Sequence, residues 1–319
     1  IRHGSRQVYG EDGGPGGAFH TWRQVGPLLA LAREMERSCP QAWLLNYANP
    51  VPRLCWALSR ATRVRNVGLC HGIGAGVAVL ERILGTSAAA LDYTSAGLNH
   101  FYWFVRVRAR AAFEMPAMYG RPPRRAEAGE DLLEEVRERG LAWALAEERM
   151  LVAELLRLTG HLCYPEQSHP AEYVGWADAC CPSVKYDFKA MASRAAALRS
   201  RVEATAAGTE SADWWVRPSG ERAVQIIMGI EGNTGQHEDA VNAVNGGAVA
   251  NLPADCVVEC PAVVDGGGVR LERVGPLPPR IARLLRKEII VQEAVVDAAL
   301  SGEYADALEA LLLDEAVPP

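Results

Sequence analysis

The 319-residue chain lacks the features that would assign it at once to a membrane or nucleic-acid-binding class. No apolar run is long enough to cross a bilayer, and no basic stripe with interleaved aromatic residues is present. The net charge of -6 also argues against a nucleic-acid partner. We therefore expect a protein that neither spans a membrane nor binds nucleic acid.

The 8 cysteines form no Cys-x-x-Cys pair and show no regular spacing. In a chain of this length they indicate scattered reduced thiols and not a disulfide framework, so we expect a cytoplasmic location. With 49% apolar and 23% charged residues, the composition is that of a globular protein able to bury a sizeable core.

The first hundred residues predict a parallel α/β arrangement. Three short apolar runs alternate with two helical patterns, the runs at 42–45, 64–69 and 88–98 and the helices at 53–60 and 77–84. Strands that alternate with helices are typical of parallel sheets. Each run ends in polar residues, at the edge where open α/β sheets bind ligands.

The pattern changes after residue 99, where we place a domain boundary. Val105, Val107 and Ala109 alternate with arginines, as in a half-exposed antiparallel strand. Residues 100–319 are therefore expected to form an α+β domain, with strands at 223–230 and 257–264 and helices at 132–158 and 279–312. Near the start of the chain we expect a flexible glycine-rich loop at 8–19, then a helix that ends close to Cys39-Pro40.

Two dipeptides, Cys70-His71 and Asn99-His100, follow apolar runs. A thiolate and an imidazole at the ends of neighbouring strands can hold one divalent ion and leave positions open for substrate oxygens. The alternative is that Cys70 is a small buried apolar residue and His100 a hydrogen-bonded core histidine. Nothing local in the sequence links the two residues, so both interpretations stay open on chemistry alone.

Other polar residues allow two interpretations as well. Asn46, Asn49 and Asn99 lie at strand ends, where asparagine commonly makes turns, but their amides could also bind sugar hydroxyls. The stretch 164–173 gathers acid, base and phenol side chains, which suits proton transfer, although a solvated loop has a similar composition. The loop at 13–17 is a weak phosphate cradle, because no strand or GxGxxG spacing accompanies it.

Taken together, seven segments resemble family 4 glycoside hydrolases: YGEDGGPGGAFHTWR (9–23), AWLLNYANPVPRL (42–54), VGLCHG (67–72), SAGLNHFYW (95–103), SHPAEYVGW (168–176), NAVNGGAVANLPADCVVECP (242–261) and VGPLPP (274–279). These collinear segments cover nearly the whole chain. The resemblance implies that residues 1–99 are the C-terminal part of a Rossmann-like dinucleotide-binding domain. It implies that residues 100–319 form an α+β catalytic domain like the C-terminal domain of lactate dehydrogenase.

The resemblance also implies an activity, the hydrolysis of an α-galactoside, an α-glucoside or a hexuronide with NAD and a divalent metal, usually Mn²⁺. In this family scheme hydride leaves C3 of the sugar, a base takes the C2 proton, and the glycosidic oxygen departs by elimination. Water then adds and the hydride returns, so that NAD is not consumed. The ligand would be a small carbohydrate.

By the same resemblance, Cys70 and His100 match the metal ligands. His71 would help the leaving group depart, since an imidazole titrates near neutrality, and it indicates a non-phosphorylated sugar. His169 is the candidate base, with Tyr173 second. The remaining expected contacts are Glu11, Asp12, Asn49 and Asn99 for the substrate and Asn46 for the cofactor.

The chain opens at Ile1-Arg2-His3-Gly4 without a strand and phosphate-binding turn before it. We therefore expect the nucleotide-binding N-terminal portion of such an enzyme to be missing. Two alternatives remain: a metal-independent hydroxyacid dehydrogenase-like oxidoreductase and a non-catalytic truncated fragment. We also expect a homo-oligomer, a dimer or tetramer, with the C-terminal helix as a candidate interface.

Overall fold

A computed structural model describes residues 7–181, 188–216 and 220–317. These residues divide into a large unit, 7–181 with 222–317, and a small unit, 188–216 with 220 and 221. The helices are α1 (Gly14–Ser38), α2 (Val51–Ala61), α3 (Gly72–Leu84), α4 (Leu133–Ala146), α5 (Met150–Thr159), α6 (Phe188–Ala206), α7 (Ala223–Glu231), α8 (Pro279–Ser301) and α9 (Tyr304–Leu313). The strands are β1 (Trp43–Asn46), β2 (Arg65–Gly68), β3 (Leu91–Leu98), β4 (Phe101–Ala109), β5 (Phe113–Met115), β6 (Arg124–Ala126), β7 (Gln236–Val244), β8 (Val257–Asp265) and β9 (Gly268–Leu271).

One mixed sheet runs through the large unit, which confirms the expected α/β class. Its strand order is β1-β2-β7-β8-β3-β4, and β9 pairs with β8. The pair β1–β2 is parallel, as expected, while the other pairs of this sheet are antiparallel. The expected parallel strand within 88–98 is therefore wrong, because β3 pairs antiparallel with β4 and β8. The strands that precede Cys70 and His100 are β2 and β3, and β7 and β8 lie between them. The expectation that these two strands are neighbours is therefore wrong.

Helix α2 forms the centre of the packing around the sheet. It packs against α1, α8 and β7, and all of residues 51–58 are buried. Proline at its first turn suits a helix start, because the missing amide would have no partner there. The buried side chains of Leu54, Trp56 and Leu58 belong to the main apolar core. This packing fixes the loop at 46–50, which lies beside the site described below.

Three expected elements differ from the structure. Residues 223–230 form helix α7 and not a strand, since short apolar runs fit either state and burial here falls at Ile226 and Gly229, three residues apart. The expected loop at 8–19 ends early, because α1 begins at Gly14 with Pro15 in its first turn. The expected helix at 132–158 is two helices, α4 and α5, with Glu148 between them at a φ of 54°.

The small unit consists of α6 and a short 3-10 turn at Ala212–Trp214. The rings of Trp214 and Trp215 stack with centroids 4.7 Å apart, and the Arg201 guanidinium lies 4.3 Å from the Trp214 ring centroid. Stacking of aromatic and guanidinium planes stabilises such a small unit. Across the ranges that the structure describes, no helix is both long and apolar enough to cross a membrane.

Two glycines of α3 make a matched pair for testing the packing behind Cys70. A Cβ on Gly76 would lie 2.4 Å from the Tyr102 hydroxyl oxygen and 2.9 Å from the Phe104 ring, whereas a Cβ on Gly74 would meet nothing within 4 Å. We expect Gly76→Ala to lower the free energy of unfolding by about 1–3 kcal/mol through overpacking. Gly74→Ala should raise it by up to about 1 kcal/mol. Urea unfolding measures both, and equal effects would contradict the described packing of α3 on β4.

Candidate active site

The turn between β3 and β4 carries the central residue of the site. It consists of Asn99 and His100, and His100 has a φ of 59°, which residues other than glycine seldom adopt. The Asn99 side chain donates a hydrogen bond to the buried Glu259 carboxylate at 2.5 Å, and the Asn99 carbonyl accepts one from the Tyr173 hydroxyl at 3.1 Å. Because the turn is held from both sides, the direction of the His100 imidazole is fixed.

The imidazole of His100 lies between a thiol and a carboxylate. Its Nε2 is 3.2 Å from Cys70 Sγ, and its Nδ1 is 2.7 Å from Asp12 Oδ2. Cys70 lies two residues before α3, and the Gly72 amide donates a hydrogen bond to its sulfur at 3.3 Å. A carboxylate on one ring nitrogen orients the other toward a metal in many metal sites. The structure thus brings together Cys70 and His100, the two residues that the sequence singled out.

Glu11 and His169 lie around the same imidazole. The potential ligand atoms of Glu11, His100 and His169 are all within 4.8 Å of one another, and the rings of the two histidines have centroids 4.2 Å apart. Glu11 Oε1 accepts a hydrogen bond from the Asn49 amide at 2.5 Å, and Glu11 Oε2 lies 3.6 Å from His169 Nδ1. Four of the expected site residues, from four separate segments, therefore meet Cys70 and Asp12 at one place.

The two histidines differ in protonation because their surroundings differ. Burial opposes protonation of His100, but the Asp12 carboxylate outweighs this effect and raises the pKa of His100 well above its usual range. Burial, and after it the charge of His100, lower the pKa of His169 to about 4. At neutral pH the His169 imidazole is thus neutral.

A buried glutamate supports the turn that carries Glu11 and Asp12. Glu172 Oε2 accepts hydrogen bonds from the backbone amides of Glu11, Asp12 and Gly13 at 2.7, 2.7 and 2.9 Å. Glu172 Oε1 lies 3.4 Å from His169 Nδ1. Burial, together with Asp12, raises the pKa of Glu172 to about 8, although the three amides oppose this shift.

Three expected site residues have other surroundings. The Asn46 side chain donates a hydrogen bond to the Ala48 carbonyl at 3.1 Å and accepts one from the Ala48 amide at 3.0 Å, so it forms the turn after β1. His71 is exposed at the start of α3. Tyr173 is buried, and its hydroxyl points to the Asn99 carbonyl, while burial raises its pKa.

Sequence reasoning missed two carboxylates that hold the site in place. Glu172 stands in the segment SHPAEYVGW, where His169 and Tyr173 drew attention first, and the Ser-His-x-x-Glu spacing was an available signal. Glu259 is the one acid in the interior of β8, whose last residue is Asp265, and it accepts hydrogen bonds from Asn99 at 2.5 Å and Asn242 at 3.3 Å. A lone acid inside an apolar strand indicates a buried partner, since an unpaired buried charge is costly.

Comparison with known proteins identifies the family to which the chain belongs. A family model described as the family 4 glycosyl hydrolase C-terminal domain matches residues 95–317, and one described as family 4 glycosyl hydrolase matches residues 1–86. The α-glucosidase of Erwinia rhapontici is 30% identical over 98% of this chain and 72% of its own length. The α-galactosidase of Bacillus subtilis is 26% identical over 98% of this chain and 70% of its own length.

Solved structures support the same fold. A 6-phospho-α-glucosidase from gut microorganisms, in complex with NAD and Mn²⁺, has a TM-score of 0.76 at 22% identity. The match covers 96% of this chain and 70% of that one.

Proposed function

The chain belongs to glycosyl hydrolase family 4, and we propose that it carries the site at which an O-glycosidic bond is cleaved with the help of NAD and a divalent metal. The substrate class is an α-galactoside, an α-glucoside or a hexuronide. One observation carries the proposal: the His100 imidazole, fixed between Asp12 and Cys70, faces the neutral imidazole of His169. A Lewis-acid position and a proton acceptor side by side suit removal of a proton next to a carbonyl.

The residues present fit a divalent metal. Cys70 and His100 offer sulfur and nitrogen 3.2 Å apart, and the buried Asp12 Oδ1 and Asn99 Oδ1 have no hydrogen-bond partner among the described residues. Sulfur, imidazole and oxygen donors together suit a first-row transition metal such as Mn²⁺. We propose Cys70 and His100 as the ligands. When bound, the metal supplies a Lewis acid and NAD supplies a reversible hydride acceptor.

His169 is proposed as the base that takes the C2 proton. It is neutral at physiological pH, and its Nδ1 lies 3.6 Å from the Glu11 carboxylate, which would stabilise the imidazolium. Tyr173 was the second candidate. Its buried hydroxyl donates to the Asn99 carbonyl, which supports a role in positioning the Asn99–His100 turn.

The remaining polar side chains are proposed to bind the sugar. Glu11 and Asn49 are joined by a hydrogen bond of 2.5 Å and are both partly exposed at the site, so they can exchange this contact for sugar hydroxyls. The exposed His71 is proposed to protonate the leaving oxygen. Asn99 and Asp12 are both buried, so their effect on sugar binding is proposed to be indirect. Asn99 holds the turn that carries His100, and Asp12 orients the His100 imidazole.

NAD is proposed as the cofactor because the chain belongs to glycosyl hydrolase family 4. Asn46, the expected cofactor contact, has its amide engaged by Ala48.

We further propose a homo-oligomer and a cytoplasmic location. The exposed apolar residues Tyr304, Leu308 and Leu312 on α9 support an interface between copies. The 8 cysteines are all free, which supports a reducing compartment.

Release of p-nitrophenol from α-galactoside, α-glucoside and α-galacturonide substrates tests the function in the full chain. We expect release from one of them to require both NAD and Mn²⁺, to stop with a chelator, and to leave no net NADH. Accumulation of NADH in step with sugar oxidation would favour the hydroxyacid dehydrogenase alternative. Release that survives the chelator would contradict the metal site. No release with both cofactors present would favour the non-catalytic alternative.

A further inference from the structure

We propose that Glu172 is the positioning residue of this site, because it holds the turn that places both Asp12 and Glu11. The inference rests on the proposed function, since it concerns how the same metal-binding imidazole is oriented. Glu172 itself would touch neither substrate nor metal.

Glu172 contacts the turn at residues 11–13 directly, through several hydrogen bonds. One oxygen, Oε2, accepts hydrogen bonds from three consecutive amides, those of Glu11, Asp12 and Gly13, at 2.7, 2.7 and 2.9 Å. Glu172 is 1% exposed, so water does not compete for these amides. A Cβ on Gly13 would lie 2.6 Å from the Glu172 carbonyl oxygen. The turn is thus packed onto Glu172 as well as bonded to it.

Fixing these three amides fixes two side chains that reach the site. Asp12 Oδ2 lies 2.7 Å from His100 Nδ1, and this contact orients Nε2 toward Cys70. Glu11 Oε1 accepts the hydrogen bond from Asn49 at 2.5 Å. Glu172 is distant in sequence from both acids, so the 3-10 turn at Pro170–Tyr173 sets the geometry of a site built from other segments.

The role differs from that of a buried acid that only stabilises the fold. A carboxyl group taken out of water costs free energy unless its oxygens find donors. A methionine of similar length could fill the same space without that cost. The acceptor oxygen is needed if the amides at 11–13 must be held, and a glutamine would supply such an oxygen.

Mn²⁺ affinity, measured by calorimetry on the full chain, separates the two roles. We expect Glu172→Met to weaken Mn²⁺ binding by about 10–100-fold, the usual effect of losing an outer-shell contact. Glu172→Gln should stay within about 3-fold of the unmodified chain. Glu238→Met is the matched control, because Glu238 is equally buried but pairs with Arg222. It should lower the melting temperature without changing Mn²⁺ affinity.

A coupling experiment tests the route through Asp12. Asp12→Asn alone is expected to weaken Mn²⁺ binding by about 10-fold. The double variant with Glu172→Met should be no more than about 3-fold weaker than Glu172→Met alone, because both changes act on one contact. Fully additive losses would show that Glu172 does not act through Asp12.

Hydrogen exchange supplies a test that needs no variant. The amides of residues 11–13 should be strongly protected in the unmodified chain, and rapid exchange there would overturn the inference even if the variants failed to fold. Unchanged Mn²⁺ affinity in a folded Glu172→Met would overturn it too. If the unmodified chain bound no Mn²⁺, the proposed function would fail, whereas the protection of 11–13 would still report on the contact itself.

Discussion

Mn²⁺ binding to the full chain is expected to fall by more than about 100-fold in both Cys70→Ser and His100→Ala. Loss of an outer-shell partner alone costs about 10–100-fold in metal affinity, and these two side chains are the proposed ligands. The orientation of the His100 ring is also fixed by Asp12, whose Oδ2 lies 2.7 Å from His100 Nδ1. We therefore expect no other side chain to take the place of His100 as a ligand. A metal binds the neutral imidazole, whereas the raised pKa of His100 keeps this ring protonated in the metal-free chain. Mn²⁺ binding should therefore release protons and become stronger as the pH rises.

Matched controls separate loss of a ligand from loss of any thiol or imidazole. His237→Ala removes a half-exposed histidine on β7 whose ring contacts Glu272 at 2.9 Å, and Cys180→Ser removes a partly buried thiol. Both should bind Mn²⁺ like the unmodified chain. Binding that persists in Cys70→Ser but disappears in His100→Ala and Glu11→Gln would move the site to the cluster of Glu11, His100 and His169.

Glycoside turnover is expected to fall by about 10²–10⁴-fold in His169→Ala, the usual contribution of a general base. The neutral ring of His169 has its centroid 4.2 Å from that of His100, so it lies beside the proposed metal ligand. Mn²⁺ affinity should change by less than about 3-fold, since His169 is not a proposed ligand. Steady-state rates and calorimetry on one preparation measure both quantities.

Tyr173→Phe is the comparison for His169→Ala. It removes the hydrogen bond to the Asn99 carbonyl, which is expected to cost about 0.5–1.5 kcal/mol of stability and less than about 10-fold in turnover. A His169→Ala variant with unchanged turnover, beside an inactive Tyr173→Phe, would assign the base to Tyr173 instead.

Periodicity in the sequence located most helices and the strand β8, expected at 257–264, but it missed β7 and assigned 223–230 as a strand. Helices α1, α2, α3, α8 and α9 fall where apolar spacing placed them. The strand β7, in contrast, reads Gln-His-Glu-Asp-Ala-Val-Asn-Ala-Val, and its polar start hid it. The apolar run at 223–230 was assigned as a strand because burial, which decides between helix and strand for such runs, is not visible in a sequence.

The site could be predicted only in part, because its contacts join distant segments. Cys70 and His100 are 30 residues apart in the chain, and Glu172 is 160 residues from Asp12. Composition and spacing left the metal and core interpretations of Cys70 and His100 both open, and the family resemblance favoured the first. The amide turn at 11–13 and its support by Glu172 depend on backbone geometry, which no local pattern reports.

The most direct test of the account is the position of solvent hydrogen in the product sugar. Hydrolysis by the full chain with NAD and Mn²⁺ in D₂O should give a sugar that carries deuterium at C2, because the base removes the C2 proton and solvent returns one. Proton NMR of the released sugar measures this. Deuterium at C2 would support elimination at a metal-polarised carbonyl, and hydrolysis that leaves C2 fully protonated would contradict it.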